Sequence, residues 1–203
     1  MLDSLSESAE KMGAVNTVIV QNGPFGRKLR GDNTDWLGIL KCVNRKSFKP
    51  QTGIVIGAGG AARAAVFAMQ HLCVPNVVVI NRTRTKAEKL ATQFPSLNIV
   101  ILEKLADAPA SGLIIGCIPA DNVTEQDIPL HIFDDDGLVI DMSYRPPVSA
   151  LMKVAGRRKN WTVLGGVDVL REQAYAQFEL WTGRKAPVSV IEQALEENAT
   201  SSR

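Results

Sequence analysis

The chain has 203 residues, 45% of them hydrophobic and 22% charged, with 23 Lys and Arg against 21 Asp and Glu for a net charge of +2. That composition fits a folded chain with a sizeable core, and a near-neutral charge without a basic stripe and interleaved aromatics argues against direct nucleic-acid binding. Cys42, Cys73 and Cys117 are widely spaced, His71 and His131 are far apart, and no apolar run reaches membrane-spanning length, so a reducing, cytoplasmic setting with no resident metal is expected.

Asp3 to Met12 has helical spacing, with Leu5, Ala9 and Met12 on one side. Two strands are predicted at Asn16 to Gln21 and Lys28 to Gly31, separated by Asn22-Gly23-Pro24-Phe25-Gly26, a composition suited to a hairpin or an exposed connection. A helix follows over Asp35 to Val43, and the basic, Pro50-containing segment from Arg45 to Gln51 reads as a domain boundary.

The run Gly53-Ile54-Val55-Ile56 is short, apolar and β-branched, as a buried parallel strand should be, and it leads into Gly57-Ala58-Gly59-Gly60-Ala61-Ala62. In a dinucleotide site the first glycine of such a turn makes the tight bend and the second lets the backbone approach a pyrophosphate. The third position packs the helix on the strand, and the helix N-terminus faces the anion. A helix over Ala61 to Leu72 and a second strand, Val77 to Ile80, complete a βαβ unit and lead to Asn81-Arg82-Thr83-Arg84-Thr85-Lys86. An NAD site usually carries Asp or Glu at the end of this strand for the ribose 2′-hydroxyl. Asn81 is neutral and cations follow it, which favours a 2′-phosphate and hence NADP.

A helix is predicted over Lys86 to Phe94 and strands over Asn98 to Leu102, Leu113 to Ile118 and Leu138 to Met142. Further on come a helix from Val148 to Lys153, a strand at Thr162 to Leu164 and an amphipathic helix over Val169 to Thr182. This alternation implies an α/β fold with a doubly wound parallel Rossmann sheet, its ligand crevice at the carboxyl ends of the strands. Phe178 and Trp181 read as core, and the polar end, Glu196 to Arg203, as frayed. By themselves Asn16 and Asp35 could be a turn residue and a helix N-terminal carboxylate, and Tyr144 could be an aromatic packed over the Arg145-Pro146-Pro147 turn. Gln173 on a mostly apolar helix fits a cleft better than a dry core.

Taken together, Gly13-Ala14-Val15-Asn16-Thr17, Gly31-Asp32-Asn33-Thr34-Asp35, the glycine turn with Arg63, Asn81-Arg82-Thr83, Asp141 to Pro146 and the segment Gly166 to Gly183 closely resemble the shikimate dehydrogenase family, nearly end to end. Trp36 after Asp35, Ile118-Pro119-Ala120-Asp121 and Phe178-Glu179-Leu180-Trp181 resemble the eukaryotic form, found as the last domain of the fungal pentafunctional AROM polypeptide. The resemblance implies reduction of 3-dehydroshikimate with NADPH. It casts Asp35 as half of a Lys/Asp catalytic pair and Asn16, Asp35, Tyr144 and Gln173 as substrate contacts. Gly57, Ala58, Gly59, Gly60, Ala61, Asn81, Arg82, Thr83, Cys117, Ile118 and Gly166 would hold the cofactor. It divides the chain into a remnant of a smaller α/β substrate domain (1–46), the NADP-binding Rossmann domain (47–185) and a C-terminal helix and tail (186–203).

Two departures qualify the resemblance. The family's catalytic Lys falls in a segment ahead of Met1, so little or no turnover is expected of this chain alone. Gly116-Cys117 stand where the eukaryotic form tends to carry small hydroxyl residues. The alternative is a non-catalytic, metabolite-sensing domain like that of the fungal quinate repressors, which would place the protein in the nucleus. Expected partners are a shikimate-like small molecule, the missing substrate half or other AROM-like domains, and a second copy through sheet edges left open on Asn16 to Gln21 and Lys28 to Gly31.

Overall fold

In the computed structural model, which describes residues 1–24, 26–46 and 49–201, the N-terminal strands are better partnered than the sequence suggests. β1 (Ser4–Leu5), α1 (Glu7–Met12), β2 (Thr17–Gly23) and β3 (Gly26–Asp32) follow one another, and the strands form a sheet in the order β1-β3-β2. The helix expected from Asp3 begins only at Glu7. Ser6 is extended and its Oγ accepts from Ala9 N at 3.1 Å, an N-cap that leaves Ser4 and Leu5 free to pair with Arg30 and Gly31. Asn22 to Gly26 joins β2 and β3 as an antiparallel hairpin, with Phe25 outside the described residues. Thus β3 has a neighbour on each side, which corrects the expectation of an unpaired Lys28 to Gly31. The outer edge of β2 has no strand partner among the described residues, although Trp181 Nε1 donates to Val18 O there at 3.1 Å.

Helix α2 (Asp35–Asn44) leads to the larger sheet, and the proposed boundary after it includes Ser47 and Phe48, outside the described residues. The chain then runs β4 (Thr52–Ile56), α3 (Gly60–His71), β5 (Asn76–Ile80), α4 (Arg84–Ala91), β6 (Asn98–Leu102), β7 (Ser111–Gly116), β8 (Phe133–Asp141), α5 (Ala150–Gly156), β9 (Trp161–Leu164), α6 (Gly166–Thr182) and α7 (Val188–Ser201). The strand order is β6-β5-β4-β7-β8-β9, every pairing parallel.

The β-branched runs form these strands because both faces of the sheet are covered. Val55, Val77, Val79, Leu113, Ile115 and Ile140 face α2, α3 and α6, while Ile54, Val78, Ile80, Ile114 and Val139 face the side of α5. Each fully buried Val, Ile or Leu contributes about 1.5–3 kcal/mol, so this double-sided core is the main source of stability.

Two expectations need correction. β8 starts at Phe133 rather than Leu138: Asp134 to Asp136 are exposed, so this end of the strand tolerates charge, and the register shifts between Ser111 and Leu113 to accommodate it. Trp181 is 57% exposed rather than core, because it reaches out to the β2 edge. Helix α7 runs to Ser201, and the expected frayed end, Glu196 to Arg203, includes Ser202 and Arg203, outside the described residues.

Candidate functional site

The order of the large sheet turns between β4 and β7. From β4 the chain winds outward through β5 and β6, then returns to lay down β7, β8 and β9 on the other side. A crevice opens outside the carboxyl ends at such a switch point, and the glycine turn lies in it.

Gly57 has φ +121°, and its N–H donates to Ile80 O at 2.8 Å. A Cβ there would stand 2.8 Å from Cys117 O, so both the backbone angle and the close approach of β7 require glycine. Gly59 is different. It is the N-cap of α3 with φ −87°, and no described heavy atom lies within 4 Å of where its Cβ would be. Open space thus stands before a twelve-residue helix with no acid in its first turn, while Ala62 is fully buried behind it. Gly60 is exposed, and Ala58 and Ala61 are half-buried at the same turn. A diphosphate fits this cradle sterically and electrostatically.

Beyond β5, Asn81 Nδ2 donates to Thr83 O at 2.7 Å and shapes the turn into α4, whose first turn carries no acid. The cations separate here. Arg84 pairs with Glu88 at 3.0 Å, whereas Arg82 lines a cavity of about 330 Å³ with Asn81, Ile56, Ile80, Ile118 and Lys104. Lys104 was not singled out from the sequence, since nothing in the loop after β6 marks it as a neighbour of Arg82.

A second cluster gathers three distant segments. Asn16 Nδ2 donates to Asp35 Oδ1 at 2.8 Å, to Thr34 Oγ1 at 3.1 Å and to Gln173 Oε1 at 3.3 Å. Thr34 Oγ1 donates to Gln173 Oε1 at 2.7 Å, Thr17 Oγ1 donates to Asn16 Oδ1 at 2.6 Å, and Gln177 Nε2 donates to Thr17 Oγ1 at 3.0 Å. The floor formed by Thr17, Thr34 and Gln173 is buried, and Asn16 and Asp35 face outward above it. Burial raises the Asp35 carboxyl above its ordinary value, and the Asn16 hydrogen bond offsets only part of that. Thr17, Thr34 and Gln177 were not identified as site residues from the sequence; the hint available was their polarity at positions where the local pattern faces inward.

The cluster and the crevice are neighbours. The Cys117 thiol at the end of β7 is pushed up by burial and then by two carboxylates, Asp141 and Asp35. A Cβ on Gly60 in the glycine turn would stand 3.9 Å from the Cβ of Ala14, two residues before Asn16.

Similarity to known proteins extends over most of the chain. Residues 41–142 match the family described as shikimate / quinate 5-dehydrogenase, and residues 166–196 match the shikimate 5′-dehydrogenase C-terminal domain. The chain belongs to the shikimate/quinate dehydrogenase family. It is 36% identical to pentafunctional AROM polypeptide 2 of Lodderomyces elongisporus, over 94% of this chain and 13% of that one. It is 35% identical to the quinate repressor protein of Emericella nidulans, over 92% of this chain and 26% of the other. The solved shikimate 5-dehydrogenase of Thermus thermophilus, in complex with NADP(H) and shikimate, superposes with a TM-score of 0.76 at 32% identity, covering 97% of this chain and 72% of that one. The chain therefore spans only a small part of its AROM and repressor relatives.

As a shikimate dehydrogenase-like domain, the chain places the remaining candidates unevenly. Ile118 lines the Arg82 cavity, and Cys117 is half-buried beside it. Thr83 is the exposed N-cap residue of α4. Gly166 opens α6, and its Cβ would fall 2.5 Å from Met142 O, so close packing on the end of β8 accounts for this glycine. Tyr144 lies in the loop after β8, 55% exposed and outside the hydrogen-bonded cluster. Lys11, the lysine nearest Asn16 in number, stands over the Phe67 ring at 5.6 Å.

Proposed function

We propose that this chain carries the NADP(H) site and part of the substrate site of a shikimate-type dehydrogenase, whose substrate is 3-dehydroshikimate or a closely related cyclic hydroxy acid. The observation that carries the reading is the convergence of Asn16, Asp35 and Gln173 in one cluster beside the strand end where the glycine turn lies. On this reading residues 1–46 belong to the substrate domain and residues 47–185 to the cofactor domain, which also lends Gln173 to the substrate side, and residues 186–203 are a C-terminal helix and tail.

NADPH, when bound, supplies the hydride. The chain's own residues hold the cofactor and part of the substrate. The turn from Gly57 to Ala61 and the N-terminus of α3 hold the diphosphate, and Arg82 beside Asn81 meets the 2′-phosphate. Asn16 offers its amide to a substrate hydroxyl, with Gln173 buried beneath it and fixing its orientation. The Asp35 carboxylate accepts from a substrate hydroxyl and would orient the cationic acid of the Lys/Asp pair that the family resemblance implies.

Calorimetric titration of the purified chain with NADPH and NADH tests the reading. NADPH is expected to bind clearly and NADH much more weakly. Binding of neither would sink the dinucleotide assignment and favour metabolite sensing without a cofactor, the role suggested by the likeness to the quinate repressor.

A further inference from the structure

Asp141 is only 4% exposed at the carboxyl end of β8, and none of the roles above uses it. Its Oδ2 accepts from Ser149 Oγ at 2.6 Å and its Oδ1 from Ser143 N at 2.9 Å. Ser149 is the N-cap of α5, its Oγ accepting from Met152 N at 3.2 Å. Ser143 O in turn accepts from Gly166 N, the first residue of α6, at 3.3 Å. One carboxylate thereby ties both ends of the loop between β8 and α5 and, through Ser143, the start of the helix that carries Gln173. On its other side, a Cβ on Gly116 would come within 3.1 Å of the Asp141 carboxyl, so the group sits directly behind the end of β7.

A buried carboxylate is an expensive way to fill a core, and apolar residues of similar size would do that more cheaply. What it adds is direction, through two donors fixed by one rigid group. The loop has little else to hold it, since residues 144 to 148 are all exposed. Its place over the ends of β7 and β8 is across the glycine turn from the Arg82 cavity. A dinucleotide with its adenosine in that cavity and its diphosphate on α3 must lay its other half on this side.

Building on the dinucleotide reading above, we propose that Asp141 is a positioning residue: by clamping Ser143 and Ser149 it holds the loop from residue 142 to 149 as the wall against which the nicotinamide half of the cofactor lies, and it takes no part in holding the adenosine half.

The test compares two ligands on the full chain: NADPH, and adenosine 2′,5′-bisphosphate, which carries only the phosphorylated adenosine half. In Asp141→Ala, NADPH affinity should fall by at least about tenfold, while that of the bisphosphate stays within about twofold. Asp141→Asn should recover most of the loss, because its oxygen still accepts from Ser143 N and its amide can donate to the Ser149 hydroxyl. If the alanine variant does not fold, Ser149→Ala keeps the carboxylate and its bond to Ser143 and should give a smaller, NADPH-selective loss. Equal losses for both ligands would mean general destabilisation and overturn the proposal, as would unchanged NADPH affinity in a folded Asp141→Ala or Ser149→Ala. Wild-type chain that binds neither ligand would overturn the dinucleotide reading itself. Wild-type chain that binds both, with variants that match it, would overturn only the role of Asp141.

Discussion

A Cβ on Gly38 would stand 3.1 Å from the Cβ of Gln173, 3.0 Å from Val169 Cγ1 and 2.7 Å from the Val169 carbonyl oxygen, so α2 meets α6 at this point with no side chain of its own in between. That approach lets Gln173 reach Thr34, the residue just before α2. In Gly38→Ala the neighbour in the way is backbone, which cannot turn aside. Overpacking of about 1–3 kcal/mol should exceed the roughly 1 kcal/mol that alanine gains in helix propensity. The urea midpoint is expected to fall, and Gly38→Val should lower it further. An unchanged midpoint in the alanine variant would show that the helices can separate freely and that Gly38 does not set the position of Gln173.

Gly57 and Gly59 should respond to alanine in different ways. At Gly57 the methyl meets φ +121° and the Cys117 carbonyl at 2.8 Å, so Gly57→Ala is expected to lose about 1–3 kcal/mol of stability along with cofactor binding. At Gly59 the angle is ordinary and the space is open, so Gly59→Ala should cost only about 1 kcal/mol, the loss of a good N-cap residue. Its methyl would nevertheless occupy the approach of the diphosphate, and NADPH affinity should fall on the order of tenfold or more. Thermal melts and calorimetry on the two variants separate the effects; full NADPH affinity in Gly59→Ala would remove the diphosphate from this turn.

The parts of the fold that were legible are those whose signal is local. Strands β4, β5 and β7 are short apolar runs because both faces of the sheet are covered, and the glycine turn follows from one positive φ and one open N-cap. Features that depend on distant partners were not legible. β1 is two residues long and exists only because Arg30 and Gly31 lie alongside. Beyond their polarity, nothing local marks Thr17 and Thr34 until Asn16 and Gln173 are brought against them. Trp181 looks like core until its indole N–H is seen to cap a strand edge, and the exposed acids at the start of β8 hide a strand that pairing with Ser111 extends. The family motifs compensated for part of this. They pointed to Asn16, Asp35 and Gln173 together, which no periodicity could do.

The basic turn after β5 also predicts a division of labour. Arg84 is held by Glu88, while Arg82 lines the crevice, so the two cations should not contribute equally. Arg82→Ala is expected to weaken NADPH by about 1.5–3 kcal/mol, roughly ten- to hundredfold, as befits a charge-assisted contact to phosphate, and to leave NADH nearly unchanged. Arg84→Ala should have the smaller effect. Competitive titration of the two cofactors measures this directly; a larger loss of NADPH selectivity in Arg84→Ala would mean that the Glu88 pair opens on binding and that Arg84 is the reader of the 2′-phosphate.

Asp35 sets a pH dependence whose sign can be worked out. Burial raises its carboxyl above the ordinary value of 3.8, and the Asn16 bond does not cancel the effect. The folded chain then keeps this proton to a higher pH than the unfolded chain does. Between 3.8 and the raised value the folded state binds more protons, so the contribution of Asp35 to stability falls as pH rises through that window and stays at its lower level above it. Asp35→Asn abolishes the titration yet keeps an oxygen that can accept from Asn16 Nδ2, now at 2.8 Å. The variant is therefore expected to be more stable than the parent near neutral pH, and the difference should shrink to almost nothing well below the carboxylate range. Asp141 is also raised by burial, but it is common to both proteins and cancels in the difference. Urea midpoints collected across this pH range give the answer. A parent that is the more stable protein at neutral pH would mean that the helix N-terminus and Asn16 outweigh burial, and Asp35 would then be explained as the opening carboxylate of α2, without a role in the site.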